Sequence, residues 1–314
     1  MTKIKVVLLA GGVGGAKLAE GLEALNNVEL SIIGNIADDE IFHGLTVSPD
    51  IDTLTYSLSN MINRSQGWGV VKDDYKALNL LSKLGNETWM LLGDTDLGLH
   101  IYRTNRLNLG DKPSVIASDI AKALDIEARI ILPTDNSVKT KVRTQKGWIS
   151  FQEYFVKGKC KQNVLDLEYC GAEKAKPNGE ALDALNEAEI IVFAPSNPLL
   201  SIAPILSIPR IKSVIGKAKA TKIAVSPLIN GDTVKGPAAK IMKSMNMRVD
   251  SFGVAKFYKE LLDIIMIDKQ DKHLEDEIRS IGLDVETENI LMTNQKEKEF
   301  LSQRVVEIGI NMRR

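Results

Sequence analysis

One segment near the start of the chain determines the fold: Lys5-Val6-Val7-Leu8-Leu9-Ala10-Gly11-Gly12-Val13-Gly14-Gly15-Ala16-Lys17-Leu18-Ala19. Its apolar first part predicts a buried β-strand, and its last part predicts a helix. Glycines between the two let the backbone approach an anion closely, and a helix start directs N–H groups and partial positive charge toward it. We therefore predict a phosphate site whose contacts come from Gly11, Gly12, Gly14, Gly15 and Lys17.

The spacing of these glycines differs from both common nucleotide motifs. It does not follow the G-x-G-x-x-G pattern of dinucleotide-binding proteins. Lys17 is followed by Leu18, not by the Ser or Thr of a G-x-x-x-x-G-K-[ST] loop. A tight turn in an ordinary α/β protein is the alternative interpretation. The segment predicts a phosphate site but does not say which phosphate it binds.

Composition indicates a soluble enzyme. The chain has 314 residues, of which 44% are hydrophobic and 26% charged, with a formal net charge of −1. A charge this small gives no general attraction to nucleic acid, and no apolar run approaches the roughly 18 residues of a membrane span. Cys160 and Cys170 form no metal motif, and the first strand follows directly on the N-terminus. We expect a cytoplasmic protein that binds neither nucleic acid nor membrane.

Apolar strands alternate with helical segments along most of the chain. This alternation predicts an α/β fold, Rossmann-like, with a mostly parallel sheet and helices on both faces. Residues 138–170 differ, because their alternating β-branched and aromatic residues predict a smaller β-rich insertion within a single 1–314 domain. Four further assignments are strands at 89–92 and 251–254, a loop through 43–53 and a helix over 237–245.

Acidic side chains follow several of the predicted strands. The carboxyl ends of parallel strands meet at one edge of a sheet, so these side chains are expected to converge. Carboxylate oxygens suit Mg²⁺, and we predict Asp38, Asp94 and Asp96 as its ligands. The alternative for each of these residues is a helix N-cap or an Asx turn.

A rigid loop, Pro195-Ser196-Asn197-Pro198, follows a later strand. Each proline fixes one dihedral angle and restricts the residue before it. Ser196 and Asn197 therefore offer a hydroxyl and an amide in a set geometry, and Ser226 ends the next strand. We predict that these three residues contact the phosphate-bearing ligand. A purely structural turn is an equally good interpretation.

A series of blocks, taken in order, resembles one family over nearly the whole chain. They are Gly11 to Leu18, Pro49-Asp50-Ile51-Asp52-Thr53, Leu92-Gly93-Asp94-Thr95-Asp96 with His100 and Arg103, Phe151-Gln152-Glu153-Tyr154, Pro195-Ser196-Asn197-Pro198 and Ala224-Val225-Ser226-Pro227. In these blocks the chain resembles the 2-phospho-L-lactate transferases of coenzyme F-420 biosynthesis. One position departs from the family pattern, because Ala37 precedes Asp38 and Asp39 where members often carry glycine.

The resemblance implies a reaction and its substrates. The terminal ribityl hydroxyl of the deazaflavin Fo attacks the phosphate next to the lactyl group of lactyl-2-diphospho-5′-guanosine, and GMP leaves. The product is coenzyme F-420-0, and related enzymes use a phosphoenolpyruvyl or other acyl donor. The resemblance also implies Mg²⁺, and it places contacts to Fo at Asp52 and Leu91. We expect small-molecule substrates as partners, and a homodimer.

The residues themselves leave the catalytic base open between Asp50 and Asp52. Either carboxylate could orient the attacking hydroxyl or accept its proton. Asp52 could instead cap a helix, and Asn caps about as well as Asp. We therefore expect Asp52→Asn to keep near-normal stability and to lose turnover. Gly14→Val is expected to weaken binding of the donor far more than binding of Fo.

Two other functions compete with the transferase. The glycine segment also fits a nicotinamide-dependent oxidoreductase, in which Asp38 or Asp39 would hold the ribose. A non-catalytic protein that senses GMP-like nucleotides is the third possibility. Binding of NADH, Fo and GMP separates the first two functions, and turnover separates the transferase from the sensor.

Overall fold

A seven-stranded parallel sheet with helices on both faces forms the centre of this computed structural model, which describes residues 3–233 and 238–313. The strands are β1 Ile4–Ala10, β2 Val28–Gly34, β3 Glu40–Phe42, β4 Leu45–Val47, β5 Arg129–Ile131, β6 Lys139–Thr144, β7 Gly147–Ser150, β8 Asp166–Cys170, β9 Ile190–Phe193, β10 Thr221–Val225, β11 Leu228–Ile229, β12 Asp232–Thr233, β13 Ile264–Asp268 and β14 Asp284–Glu288. The α-helices are α1 Gly12–Glu23, α2 Pro49–Leu58, α3 Lys76–Lys83, α4 Asp94–Asn108, α5 Pro113–Ala123, α6 Gly179–Glu187, α7 Ala203–Ser207, α8 Ile211–Lys217, α9 Ala238–Ser244, α10 Ser251–Tyr258, α11 Glu275–Ser280 and α12 Gln295–Met312. Glu153–Lys157 and Pro198–Ile202 are π-helical, and Ala172–Lys174 and Lys269–Leu274 are 3₁₀-helical.

The order of strands across the main sheet is β5-β2-β1-β9-β10-β13-β14. Every neighbouring pair is parallel. This is the doubly wound order of a Rossmann-like fold, extended by one strand at one edge. The prediction of an α/β Rossmann-like fold is confirmed. Strand order reverses between β1 and β9, and ligands bind at the carboxyl ends of strands beside such a point.

The central strands of the main sheet are buried on both faces, so they are largely apolar. Along β1, Val7 and Leu9 belong to one hydrophobic cluster, while Val6 and Leu8 belong to the cluster on the opposite face. Successive side chains of a strand point to opposite faces, and covering helices bury both rows. Each fully buried Leu contributes about 1.5–3 kcal/mol relative to exposure. This burial holds the first strand and its following turn in place.

The β-rich insertion predicted at 138–170 is an antiparallel sheet of β7, β6 and β8. It packs on the rest of the molecule through a small cluster in which Phe151 and Tyr154 meet Leu199 and Leu200. Strand β7 ends at Ser150, and the residues that follow form a helical turn. Phe151 and Tyr154, three residues apart, both face this cluster, which is a helical spacing.

Two predicted strands are wrong. Residues 89–92 have no regular structure, and Leu92 instead fills a small cluster with Phe42 and Val47. Residues 251–254 begin α10, and the Asp250 carboxylate accepts the Gly253 N–H at 2.9 Å as its cap. A short apolar run fits a strand, a helix or an irregular core segment, so the run alone does not predict which of the three forms. At 251–254 the Asp250 cap is the feature that identifies a helix.

The predicted loop through 43–53 is also wrong over most of its length. Strands β3 and β4 form a hairpin over its start, and α2 begins at Pro49. Proline suits the first position of a helix because its missing N–H has no partner there in any case. Asp50 and Asp52 therefore lie in the first turn of a helix. Of the helix predicted at 237–245, residues 238–244 are helical, and Pro237 lies outside the described residues.

No single helix within 3–233 and 238–313 combines the length and apolar character of a membrane span. Two neighbouring helical segments, Pro198–Ser207 and Ile211–Lys217, reach that length and composition only when counted together, and they meet at a bend of 90°.

Candidate functional site

A cavity of about 720 Å³ opens where β1 and β9 end, at the point where strand order reverses. Its wall has a polar part and an apolar part. The polar part contains Gly11, Gly12, Gly14, Lys17, Asp38, Asp50, Asp52, Asp96, His100, Ser196 and Asn197. The apolar part contains Trp68, Trp89, Met90, Leu91, Phe151, Phe155 and Leu291. A volume of this size lies within the usual range for ligand pockets.

The glycine segment is the first turn of α1 and not a loop before it, since α1 begins at Gly12. Gly12 has a φ of +63°, a value that residues with a side chain rarely adopt. Gly14 lies against the neighbouring loop, and a Cβ there would be 2.0 Å from the Pro195 carbonyl oxygen. Of the predicted phosphate contacts, Gly11, Gly12 and Gly14 line the cavity, whereas Gly15 packs against Ala10 and Ser196 and does not. Gly14 is also needed for packing.

Ser196 and Asn197 join the loop after β9 to this turn. The Ser196 hydroxyl donates to the Gly11 carbonyl oxygen at 2.6 Å. The Asn197 side-chain oxygen accepts the N–H groups of Leu199 and Leu200 at 2.9 and 3.2 Å. The Nδ2 of Asn197 is buried and has no hydrogen-bond partner within the described part of the chain. Asn197 is thus oriented by its oxygen, and its amide N–H groups remain for a ligand.

Ser226 and Lys17 line the same cavity but are engaged in the fold. The Ser226 hydroxyl accepts the Leu228 N–H at 3.1 Å and lies 2.9 Å from the Ser251 hydroxyl. The Lys17 ammonium donates to the Met292 carbonyl oxygen at 2.6 Å. Ser226 therefore serves a structural turn, which was one of its two interpretations.

Asp50 is held by two donors in the first turn of α2. Its Oδ1 accepts the Gly12 N–H at 2.8 Å, and its Oδ2 accepts the Asn35 amide at 2.9 Å. Burial raises the pKa of Asp50 above its usual range, although the two hydrogen bonds act in the opposite direction. Asp50 is thus a buried, oriented carboxylate beside the glycine turn, and its basicity is increased.

Asp52 is bound by the fold on both of its oxygens. The Arg103 guanidinium donates to both, and the Ser48 N–H donates to Oδ2 at 3.1 Å. The Asp52 and Arg103 side chains are both buried. Both oxygens of Asp52 are thus already engaged by donors of the fold. Asp52 lies in the cavity wall as predicted, but its geometry favours recognition or support over proton transfer.

His100 links this pair to a second carboxylate. It is fully buried, and its Nδ1 lies 3.2 Å from an Arg103 nitrogen. Arginine has only donors, so Nδ1 accepts this hydrogen bond. Nε2 lies 3.2 Å from Asp96 Oδ1 but makes no hydrogen bond among the described residues. Tyr56 donates to the same Asp96 oxygen at 2.5 Å. The spacings of four and three residues place Asp96, His100 and Arg103 on one face of α4.

The three predicted metal ligands are not brought together. Asp96 lines the cavity but is engaged by Tyr56 and His100. Asp94 is absent from the cavity wall, and its carboxylate accepts the Lys76 and Ala77 N–H groups at the start of α3. In the described ranges, no group of three or more His, Cys, Asp or Glu side chains is arranged as a metal site.

Asp38 is the carboxylate that best fits a cation. It is buried in the cavity wall, and its Oδ1 has no hydrogen-bond partner among the residues described. Burial raises the pKa of Asp38 well above its usual range, and the nearby charges of Asp50 and Asp39 add to the effect. Mg²⁺ is commonly held by one or two carboxylates together with substrate phosphates, so a complete protein cage is not required.

The apolar part of the cavity comes from irregular segments and from the helical turn after β7. Trp89 packs edge-on against Phe42 with ring centroids 5.1 Å apart, and Phe155 stacks on Phe151 at 5.4 Å. Leu91 is 49% exposed and lines the cavity together with these aromatic side chains. Trp68 and Phe155 were not predicted, because no repeating pattern surrounds them.

The fold and the cavity define an α/β protein of Rossmann-like fold, with a cavity that has a polar part and an apolar part. A family model described as 2-phospho-L-lactate transferase CofD matches residues 6–306. The chain is 34% identical over 308 residues to the 2-phospho-L-lactate transferase of Methanococcoides burtonii, which covers 98% of this chain and 100% of the relative. The chain belongs to the 2-phospho-L-lactate transferase family and is a transferase.

The names of the other relatives do not all give the same transferred group. The chain is 34% identical over 307 residues to the 2-phospho-L-lactate transferase of Methanocaldococcus jannaschii, covering 96% of this chain and 97% of that one. It is 32% identical over 317 residues to the phosphoenolpyruvate transferase of Streptomyces griseus, covering 99% and 100%. The crystal structure of protein BH3568 from Bacillus halodurans superposes with a TM-score of 0.66 over 97% of this chain and 100% of that one. At 16% identity, this last likeness shows the fold alone.

Proposed function

We propose that this chain transfers a phospholactyl, or a related phospho-acyl, group from a guanosine diphospho-acyl donor to the ribityl hydroxyl of Fo. The hydroxyl oxygen forms a bond to the phosphorus that bears the acyl group, and the bond from that phosphorus to GMP breaks. GMP leaves with the electron pair, and the hydroxyl proton passes to a base. The observation that carries the proposal is a single cavity with a phosphate-type turn and an aromatic wall, in a chain of this transferase family.

The polar part of the cavity supports a diphosphate site. The first turn of a helix presents N–H groups and a partial positive charge, and α1 starts in the cavity wall. Asn197 adds amide N–H groups that have no partner within the described residues. Lys17, which also lies in this wall, adds positive charge. Donors of these kinds bind phosphate oxygens through charge-assisted hydrogen bonds.

The aromatic part of the cavity supports a site for a planar ring. Trp68, Trp89, Leu91 and Phe155 line it, and aromatic side chains bind planar rings by stacking and edge contacts. A deazaflavin presents such a ring, and its ribityl chain would reach toward the polar part. Asp52 also lies in the cavity wall, and Arg103 already balances its charge.

Asp50 is the base that the geometry favours. Gly12 and Asn35 orient its carboxylate, and burial raises its pKa above the usual range of an aspartate, which strengthens it as a base. Asp38 is the residue that would hold Mg²⁺ together with the substrate phosphates. Bound there, the cation would neutralise charge on the phosphoryl oxygens. Of the predicted ligands, Asp94 and Asp96 have other partners and are not retained.

Turnover with competing donors tests this function. Purified chain is incubated with Fo, Mg²⁺ and equal amounts of the lactyl and phosphoenolpyruvyl diphosphoguanosine donors, and the products are read by mass spectrometry. The proposal expects GMP and a phosphodiester of Fo, and the mass of that product identifies the acyl group. Binding of Fo and donor without any new mass would indicate a sensor, and oxidation of NADH would indicate an oxidoreductase.

The remaining expectations concern the setting of the enzyme. A cytoplasmic location and a homodimer stay predictions. Membership of a transferase family favours the transferase over both the oxidoreductase and the nucleotide sensor. The names of the relatives include both lactyl and phosphoenolpyruvate transferases, so the acyl group is left to the experiment.

A further inference from the structure

The antiparallel insertion supports the loop that carries Asp38. Three successive carbonyl oxygens of this loop each accept a hydrogen bond from the insertion. The Ala37 oxygen accepts the Thr140 N–H at 2.7 Å, the Asp38 oxygen accepts the Gln152 side-chain amide at 3.1 Å, and the Asp39 oxygen accepts the Lys139 ammonium. The carbonyl groups on either side of the Asp38 side chain are therefore held by the insertion.

These contacts are buried and close to the cavity. Gln152 is 4% exposed and Asp38 is 6% exposed, and both line the cavity wall. A hydrogen bond between buried groups constrains the backbone strongly, because a carbonyl left without a partner there costs about 1–3 kcal/mol. One Asp38 carboxylate oxygen has no partner among the described residues. Its position thus depends on the Asp38 backbone, which the hydrogen bond from Gln152 to the Asp38 carbonyl oxygen holds in place.

We propose that Gln152 is a positioning residue that acts through Asp38, and that the insertion is part of the catalytic machinery for this reason. The inference rests on the proposed function, since it takes Asp38 as the group that faces the cation. Of the three donors, Gln152 is the informative one. The Thr140 donor is a backbone N–H that no substitution removes, and Lys139 also carries a charge that acts on Asp39.

Gln152→Met tests the proposal, because it keeps the length of the side chain and removes the amide donor. Mn²⁺ binding, counted by electron paramagnetic resonance with GMP present, is measured for wild type, Gln152→Met, Asp38→Asn and the double variant. We expect Gln152→Met to weaken Mn²⁺ binding by about 10- to 100-fold, the range for residues that orient metal ligands. The double variant is expected to bind no more weakly than Asp38→Asn alone, since both changes act on one group.

The control is Lys141→Met, on the exposed side of β6, which leaves the three carbonyl contacts intact. Thermal unfolding of all variants shows whether they fold. If Gln152→Met does not fold, Lys139→Met takes its place in the same comparison with Asp38→Asn and the double variant. Three results would each overturn the inference. The first is that the losses of Mn²⁺ binding in Gln152→Met and Asp38→Asn add in the double variant. The others are that Gln152→Met binds Mn²⁺ as well as wild type does, or that wild type binds no Mn²⁺. Absence of turnover with Fo, combined with the expected Mn²⁺ pattern, would instead refute the proposed function alone.

Discussion

At the scale of single residues, the site is organised by pairs of buried polar groups. Asp50 is shared by a backbone N–H and Asn35, and Asp52 is shared by Arg103 and Ser48. A buried carboxylate with both oxygens satisfied is held in one geometry, and its environment decides whether it works as a base or as an ion-pair partner. Two carboxylates in the same first turn of α2 therefore have different partners and different environments.

Asp52→Asn is now expected to lose stability as well as turnover. The substitution removes the charge that balances the buried Arg103 guanidinium, and breaking a buried ion pair in this way costs about 3–5 kcal/mol. The expectation of near-normal stability treated Asp52 as a cap and is revised. Urea unfolding of wild type and variant measures the difference. An unchanged free energy of unfolding would show that Arg103 is balanced elsewhere.

Asp50→Asn is expected to lower turnover by about 10²-fold or more, the scale of a lost general base. Its steady-state rate is compared with that of Asp96→Asn, which changes another carboxylate of the cavity wall that has its own partners. A rate for Asp50→Asn within a few-fold of wild type would remove Asp50 as the base. The thermal unfolding of both variants provides the check on folding.

At the scale of elements, α1 is fixed at both of its ends. Its first turn packs against the loop after β9 through Gly14, and its second half packs on α12. Glu20 on α1 accepts from Lys298 on α12 and from Arg64 at 2.6 Å, and Glu20 and Lys298 are both buried. The helix that supplies the phosphate turn is therefore positioned by packing and by a buried ion pair.

Two glycines of the first turn should respond differently to alanine. In Gly14→Ala the new Cβ meets the Pro195 carbonyl oxygen at 2.0 Å, which predicts a loss of about 3 kcal/mol from overpacking. In Gly12→Ala the Cβ meets nothing within 4 Å, and only the positive φ costs about 1 kcal/mol. Urea unfolding ranks the two. Equal stabilities would contradict the packing argument, and the earlier expectation for Gly14→Val, selective loss of donor binding, is replaced by a general loss.

Lys298→Met is expected to destabilise the fold by about 3 kcal/mol, because it leaves the buried Glu20 with only the half-exposed Arg64. The matched control is Lys296→Met, two residues earlier on α12 and exposed. Thermal and urea unfolding of the pair measure the difference. A Lys298→Met variant as stable as the control would mean that packing alone holds α1 to α12.

At the scale of the whole molecule, the cavity depends on segments far apart in the chain. The turn after β1, the loop after β9, the first turn of α2 and the insertion all reach it. In the absence of a three-ligand metal cluster among the described residues, a cation would need the substrate phosphates to complete its shell. Turnover is therefore expected to vanish after exhaustive chelation and to return with Mg²⁺. Full turnover by the chelated protein would contradict this.

Local patterns in the sequence predict the sheet well and the site only in part. Strand β1 and its glycine turn were recognisable because burial on both faces makes the strand apolar throughout. The strand predicted at 89–92 failed because apolar residues facing a cavity resemble those facing a core. Partners such as Asp52 and Arg103, or Asp38 and Gln152, are distant in sequence, and no periodic pattern connects them. Their pairing follows from tertiary packing alone.

A crystal structure of the complex with GMP and Fo will show whether one cavity holds both substrates. We expect the GMP phosphate at the first turn of α1 beside the Asn197 amide. We expect the deazaflavin ring against Trp68, Trp89 and Phe155, with the ribityl hydroxyl near Asp50. A deazaflavin ring at the glycine turn, or either ligand bound outside this cavity, would contradict this expectation.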